Sequence, residues 1–292
     1  MATNEVAKTE TKKQGIATYL AQEAIKANVE SVVGQKDAQR FISSVVSAVQ
    51  TNPQLSECTN ASILSAALLG QSLNLPHSPQ LGYYWMVPFN NKKEINGKKV
   101  EVKEATFQIG WKGYYQLAMR SGQYQKIHVT SIKEGELVKY DPILDEYEFA
   151  PITDLTEREQ KPTVGYYGFF ILNNGMKKEL YWSKEKMEQH AKRYSASYRN
   201  GWSSSIWKTD FDGMAHKTIM RQLIGKYGIM SVDMEKAYNT DMSVIDENGN
   251  PDYVDNIADP PYEAHDVYAT KEPADIEAEV IDGEAKEVAA DG

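Results

Sequence analysis

Apolar positions along the first quarter of the chain recur with a helical period. Tyr19, Leu20, Ile25 and Val29 mark a weak helical pattern over about 17–33. Phe41, Ile42, Val45, Val46 and Val49 then fall at i, i+1, i+4, i+5 and i+8, one face of a firmer helix over about 35–50. Asn52-Pro53 ends it. Thr59 or Asn60 can N-cap the next helix, SILSAALLGQSL, which stops before Pro76.

The pattern then changes to strands. LGYYWMVPF (81–89) and VEVKEATFQI (100–109) are rich in aromatic and β-branched residues, and Asn96-Gly97 between them signals a type I′ turn. This predicts a β-hairpin with a lysine-bearing tip: Lys92, Lys93, Lys98 and Lys99. GWKGYYQLAMRSG (110–122) reads as a short helix with Gly122 as its C′ residue. KIHVTSI, ELVKY and EYEFAP read as short strands, and a charged, Pro-containing connection spans about 151–162. TVGYYGFFIL and KKELYWS form a second hairpin around Asn173-Asn174-Gly175. A helix follows the N-cap Ser183 as far as about Tyr194, and another runs from about Thr209 to Lys226. Between them lies SASYRNGWSSSIW, a loop rich in Ser and aromatics. The order of elements predicts an α+β fold, an antiparallel β-sheet whose β-hairpins pack against helices. Three regions are expected: a polar and helical arm over 1–34, serving as an oligomer contact or disordered; a body over 35–242; and a disordered acidic C-terminal tail over 243–292.

Charge alters this picture. The net charge of −9 is unevenly placed. Residues 241–292 hold sixteen Asp/Glu against two Lys, a balance of −14, which leaves +5 for residues 1–240. The segment 184–227, with nine Lys/Arg against four Asp/Glu, is itself at +5. No apolar window is long enough for a membrane span, and no signal peptide is read at the N-terminus. The lone Cys58 allows neither an intrachain disulfide nor a cysteine-based zinc site, which fits a reducing cytoplasm.

Candidate chemistry is thin for catalysis and richer for nucleic acid. No G-x-x-x-x-G-K-[ST] loop is present, so ATP use is not expected. Asp210 and Asp212, with His216 one turn on, could hold a divalent ion, or simply favour a helix macrodipole. Strand binding without sequence readout needs cations for phosphates and flat apolar faces for bases. Cations and aromatics alternate in three patches: Trp111, Lys112, Tyr114, Tyr115 and Arg120; Lys192, Arg193, Tyr194, Tyr198, Arg199 and Trp202; then Trp207, Lys208, Lys217 and Arg221. Helical spacing assigns Trp111, Tyr115, Ala118 and Met119 to one side, favoured as core, and Lys112, Gln116 and Arg120 to another. Lys217 and Arg221, at i and i+4, form a second cationic stripe, either a solvated face or a contact.

GQSLNLPHSPQLGYYWMVPF, QIGWKGYYQLAMRSG and GYYGFFILNNGMKKELYWSKEKMEQHAKRYS together resemble the RecT family of phage single-strand annealing proteins, over about residues 35–230. The resemblance implies ATP-independent pairing of complementary strands in phage recombination, with single-stranded DNA and a duplex annealing intermediate held in a basic groove along a ring or helical filament. It also implies a phage exonuclease and the host single-strand-binding protein as partners, action in the host bacterial cytoplasm, no membrane, and no cofactor, with Mg2+ dependence of annealing left open. It places backbone contacts on Lys112, Arg120, Arg193, Arg199, Lys208, Lys217 and Arg221, with polar contacts from Thr106 and Gln108. Tyr84, Trp85, Trp202 and Trp207 become base contacts or wedges, and the lysine-tipped hairpin a clamp. A sequence-specific nucleic-acid-binding regulator and a metal-dependent nuclease using Asp210 and Asp212 stay open beside it.

Overall fold

The computed structural model describes residues 14–253, apart from positions 79, 96, 145, 204 and 247–249. Three helices come first among the described residues: α1 (Ile16–Leu20), α2 (Glu23–Val33) and α3 (Gln35–Thr51). The weak pattern over 17–33 is thus two helices. They break at Ala21-Gln22, where Gln22 adopts extended dihedrals. Gly34, at φ +82°, turns the chain into α3 in the left-handed region that favours glycine. Leu20 and Val29 are fully buried, so residues 16–33 of the expected arm pack onto the body. Residues 1–13 lie outside the described residues.

The amphipathic face of α3 buries Ala38, Phe41, Val45, Ala48 and Val49. After a short 3-10 turn comes α4 (Asn60–Ser72), where Thr59 Oγ1 accepts from the Ser62 N–H at 3.3 Å. This helix is apolar nearly all round and buries Ile63, Leu64, Ala66, Ala67 and Leu69. At Gly70 a Cβ would meet the Tyr84 ring, so the missing side chain sets how closely α4 approaches the sheet.

β1 (Tyr84–Ile95) and β2 (Lys98–Ile109) pair in continuous antiparallel register from Tyr84↔Ile109 to Ile95↔Lys98, the predicted hairpin. Then come α5 (Trp111–Arg120), β3 (Tyr124–Lys133), β4 (Leu137–Asp141), β5 (Glu146–Phe149) and α6 (Leu155–Gln160). The helix α6 lies in the stretch read as a connection; Asp154 caps it, accepting from the Thr156 and Glu157 N–H groups. β6 (Thr163–Leu172) and β7 (Lys177–Ser183) form the second hairpin. Ser183 caps α7 (Lys184–Tyr194), and α8 (Ala196–Arg199) and α9 (Ile206–Thr209) interrupt the Ser-rich loop. α10 (Phe211–Tyr227) and α11 (Val232–Thr240) follow; α11 was not foreseen.

Beyond Met242 the chain forms β8 (Ser243–Ile245) and β9 (Pro251–Tyr253). The sheet therefore takes in residues that the charge pattern had assigned to the tail. Ser243, Val244 and Ile245 are buried, a local apolar signal that the surrounding carboxylates masked. The rest of the tail, 254–292, lies outside the described residues.

Among the described residues three antiparallel sheets result, with orders β1-β2-β8-β9, β3-β6-β7 and β4-β5. With the helices they give the expected α+β class. α10 lies across the β3-β6-β7 sheet, where Gly168 lets Ile219 and Leu223 approach the strand. The same helix touches α5, which follows directly from β2. One continuous hydrophobic core runs from Leu20 through Phe107, Tyr114 and Phe170 to Ile224 and Met234.

Candidate nucleic-acid interface

The stretch GWKGYY links β2 of the first sheet to β3 of the second. The Gly110 N–H donates to the Tyr83 carbonyl at 2.9 Å. A Cβ at Gly110 would meet the Gly82 carbonyl oxygen, and one at Gly113 the Tyr83 carbonyl oxygen, so two glycines let α5 lie against the 82–83 backbone. The buried face of α5 is Gly113, Tyr114, Leu117 and Ala118. This corrects the helical-wheel expectation. Tyr114 is fully buried; of the four residues expected on the core side, Ala118 is buried, Trp111 and Tyr115 are half-buried and packed against the core, and Met119 is exposed.

Trp111 and Tyr115 line an open groove of about 610 Å³ with Tyr83, Lys112, Gln116, Lys126 and His128. Cations interleave with rings here. Lys112 Nζ lies 5.8 Å from the Trp111 ring centre, and Lys126 and Lys177 lie 5.3 and 5.9 Å from that of Phe169. Lys112 and Lys126 are in no ion pair with a carboxylate among the described residues. Trp85, 42 % exposed, stands beside Lys112, both within 4 Å of where a Gly82 side chain would project. The sequence of KIHVTSI predicts a strand and does not by itself single out Lys126 and His128 as groove residues. Its two-residue alternation, with Ile127 and Val129 buried and Lys126 and His128 exposed, was the available signal.

A chain of ring contacts links this groove to the second basic patch. Trp111 meets His216 edge-on at 6.4 Å, His216 meets Tyr166 at 5.9 Å, Tyr166 meets Phe211 at 6.1 Å, and Phe211 meets Trp207 at 5.3 Å and Tyr198 at 6.2 Å. Beyond these rings Arg193, Arg199, Trp202 and Lys208 are exposed. Arg193 stacks on Tyr194 at 5.2 Å. Arg199 Nη1 donates to the Lys192 and Arg193 carbonyls at the end of α7, and Lys208 Nζ donates to the Gly201 carbonyl at 2.6 Å.

Other residues assigned from the sequence are turned inward. Tyr84 is 1 % exposed and stacks on Phe107 at 5.1 Å, and burial raises its phenol. Trp207 is also buried, in the aromatic cluster under the second patch, so neither is a wedge. Thr106 is inaccessible and donates to the Val87 carbonyl at 2.9 Å; Gln108, buried beside it, donates to Thr106 Oγ1. Lys217 is not part of a surface stripe. Its Nζ lies 2.9 Å from Oδ1 of the buried Asp241, which also accepts the Ile109 N–H at 3.0 Å. Burial lowers the Lys217 pKa, and Asp241 opposes that shift. Arg221, mostly buried, stacks on Tyr238 at 4.3 Å and lies 4.0 Å from Asp241. Period-four spacing on α10 could not foresee this, because Asp241 comes from a segment that the sequence left unassigned.

Arg120 is exposed, but its guanidinium donates to the Leu73 and Asn74 carbonyls at 3.0 and 3.2 Å. At the hairpin tip Lys92, Lys98 and Lys99 are exposed, while Lys93 is 2.6 Å from the buried Glu104. Asp210 and Asp212 have structural partners. Asp210 caps α10, accepting from the Gly213 N–H, and Asp212 accepts from Tyr166 at 2.6 Å. Among the described residues no three His, Cys, Asp or Glu side chains converge as a metal site, and no helix is long and apolar enough to cross a membrane.

An accessible groove of rings and cations, on a scaffold of antiparallel sheets and helices, is an arrangement chemically suited to a nucleic-acid strand. The RecT family model matches residues 39–255, and the chain belongs to the RecT family, the single-strand annealing proteins of DNA recombination. The chain is similar to Uncharacterized protein YqaK of Bacillus subtilis (strain 168), 36% identical over 236 residues, covering 81% of this chain and 73% of that one. It is similar also to Protein RecT of Escherichia coli (strain K12), 27% identical over 231 residues, covering 79% and 81%.

Proposed function

We propose that this protein anneals complementary single strands without ATP, holding their backbones along the α5 groove and its continuation onto α8 and α9. The observation that carries the reading is the groove itself, where Lys112 and Lys126 stand among Tyr83, Trp111 and Tyr115. Trp85 and Trp202 extend the set of accessible rings. Annealing is base pairing and needs no catalytic acid or base. Two phosphate backbones repel, and the lysines offset that repulsion. Stacking contributes about 1–3 kcal/mol per base and is indifferent to base identity. Correct duplex adds base stacking that a mismatch lacks, so fidelity comes from the DNA.

The reading extends to assembly. A groove repeated along a homo-oligomer holds one strand at many points and raises the effective concentration of the second. A partner exonuclease would supply the single-stranded tails and the host single-strand-binding protein would cover them; membership of the family supports both proposals.

The test is pairing of two complementary oligonucleotides carrying fluorophore and quencher, without nucleotide, with and without Mg2+, and with strand length checked on gels. Acceleration confined to complementary strands and weakened by salt is expected. Binding without acceleration, or a strong preference for one sequence at fixed salt, would replace this reading with that of a regulator. Strands shortened in Mg2+ would replace it with that of a nuclease.

A further inference from the structure

The β3-β6-β7 sheet has two unlike faces. Side chains alternate along β6. Tyr166 and Gly168 turn to α10, where the Tyr166 hydroxyl donates to Asp212 and Gly168 lies against Ile219 and Leu223. Phe170 follows on that side and is fully buried. Tyr167, Phe169 and Ile171 therefore turn the other way. The register sets His128 of β3 and Glu179 of β7 beside Phe169, and Lys126 and Lys177 beside Ile171.

The β4–β5 ribbon covers one end of this second face. Phe149 meets Tyr167 at 4.7 Å, and Tyr147 meets it at 5.9 Å. At the other end the Phe169 ring is only half-buried. Lys126 Nζ lies 5.3 Å and Lys177 Nζ 5.9 Å from its centre, and the His128 ring lies 6.1 Å away. Lys126 and His128 also line the groove, so this end of the face adjoins the groove across β3.

Resting on the strand-binding reading, we propose that Phe169 seats an unpaired base of the strand held in the groove, with Lys126 on the adjoining phosphate.

The chemistry of the face selects this occupant. A phenyl ring offers a flat apolar surface and no hydrogen-bonding group, so it takes any base and reads none. The charge beside it complements a backbone. Lys126 is exposed and is in no ion pair with a carboxylate among the described residues. The carboxylate next to the ring, Glu179, is engaged by the Tyr167 hydroxyl and by Lys177 at 2.9 Å. At the ribbon end the charge reverses, with Glu146 and Glu148 exposed, which confines a backbone to the Phe169 end. A base inside a duplex is paired and stacked and cannot lie on a protein ring. The seat therefore prefers single strands and gives up its base once pairing is complete.

The experiment compares two probes at fixed salt: a thymine-only strand, and the same strand with abasic sites in place of its bases. Both carry the same phosphates, and only the first can stack. Phe169→Leu, which keeps an apolar side chain and removes the ring, should bind the thymine strand about 5–100-fold more weakly than wild type. Its affinity for the abasic strand and its salt slope should match wild type, because no phosphate contact is lost. Phe169→Trp keeps a ring in place and keeps the test decisive if Phe169→Leu fails to fold. Its added indole emission should be quenched by the thymine strand and not by the abasic one. Unchanged thymine affinity in Phe169→Leu, an equal loss on both strands, or an indole indifferent to bases overturns the seat and leaves the groove standing. If Lys112→Ala binds both strands as tightly as wild type, the groove fails, and the seat with it.

Discussion

At the residue scale, the deciding distinction is between cations that face water and cations that serve the fold. Lys112 and Lys217 look alike in the sequence, each on a helical pattern with another cation spaced along it, Arg120 and Arg221. Lys112 is exposed at the mouth of the groove, whereas Lys217 is buried against Asp241. Lys112→Ala should weaken single-strand binding by a similar factor for every sequence and reduce the salt slope by about one phosphate's worth, as titrations at several salt concentrations would register. Lys217→Ala should instead appear in urea unfolding as a loss of about 3 kcal/mol, because the buried Asp241 loses its closest cation and keeps only Arg221, 4.0 Å away. If Lys217→Ala unfolds like wild type and loses DNA affinity, the inward placement is wrong.

At the element scale, much was legible. The strand pair flanking residues 96–97, the aromatic and β-branched run along 163–172 and the apolar face of α3 each follow from local pattern. The first hairpin, the second hairpin and α3 accordingly lie close to where the pattern puts them. What failed depended on distant partners. The inner face of α5 is set by two glycines packing on the 82–83 backbone, which brings Tyr114 inward and leaves Trp111 at the groove. No helical wheel contains that contact. Gly113→Ala would force its new methyl into the Tyr83 carbonyl, and α5 would have to lift. Overpacking of this kind costs about 1–3 kcal/mol, and single-strand affinity should fall with it, since Trp111, Lys112 and Tyr115 all ride on α5. Lowered thermal stability with unchanged affinity would mean that the groove does not depend on this seat.

The β4–β5 ribbon is held by a second distant pairing. Glu136, 3 % exposed, receives Arg158 Nε at 2.6 Å and the Lys133 N–H at 2.7 Å. Burial would raise its carboxyl, but Arg158 and the backbone N–H groups outweigh burial and hold it below the usual 4.5. A depressed carboxylate contributes stability above its unfolded pKa and loses it as pH falls through the folded value. Arg158→Met should therefore destabilise strongly at neutral pH, with a gap to wild type that closes in acid. Urea unfolding at about pH 7 and pH 3 measures both ends. A gap independent of pH would assign the loss to packing instead.

At the scale of the whole molecule, the net charge of −9 works against approach to DNA, while the groove works for retention. The two effects act over different distances. Long-range repulsion is screened beyond about 10 Å at 0.1 M salt, whereas contact between lysine and phosphate releases counterions however the rest of the surface is charged. Added salt should thus do little to the association rate, relieving repulsion at long range while weakening steering by the groove. It should accelerate dissociation steeply, because each phosphate contact competes with salt. Stopped-flow association and dissociation of a labelled strand across a salt series separates the two. Affinity that falls mainly through dissociation is the expected result. An association rate that collapses with salt would mean that a far larger basic surface steers the strand than the groove and the α8–α9 patch supply, and the interface would have to be redrawn to include the exposed lysines of the hairpin tip.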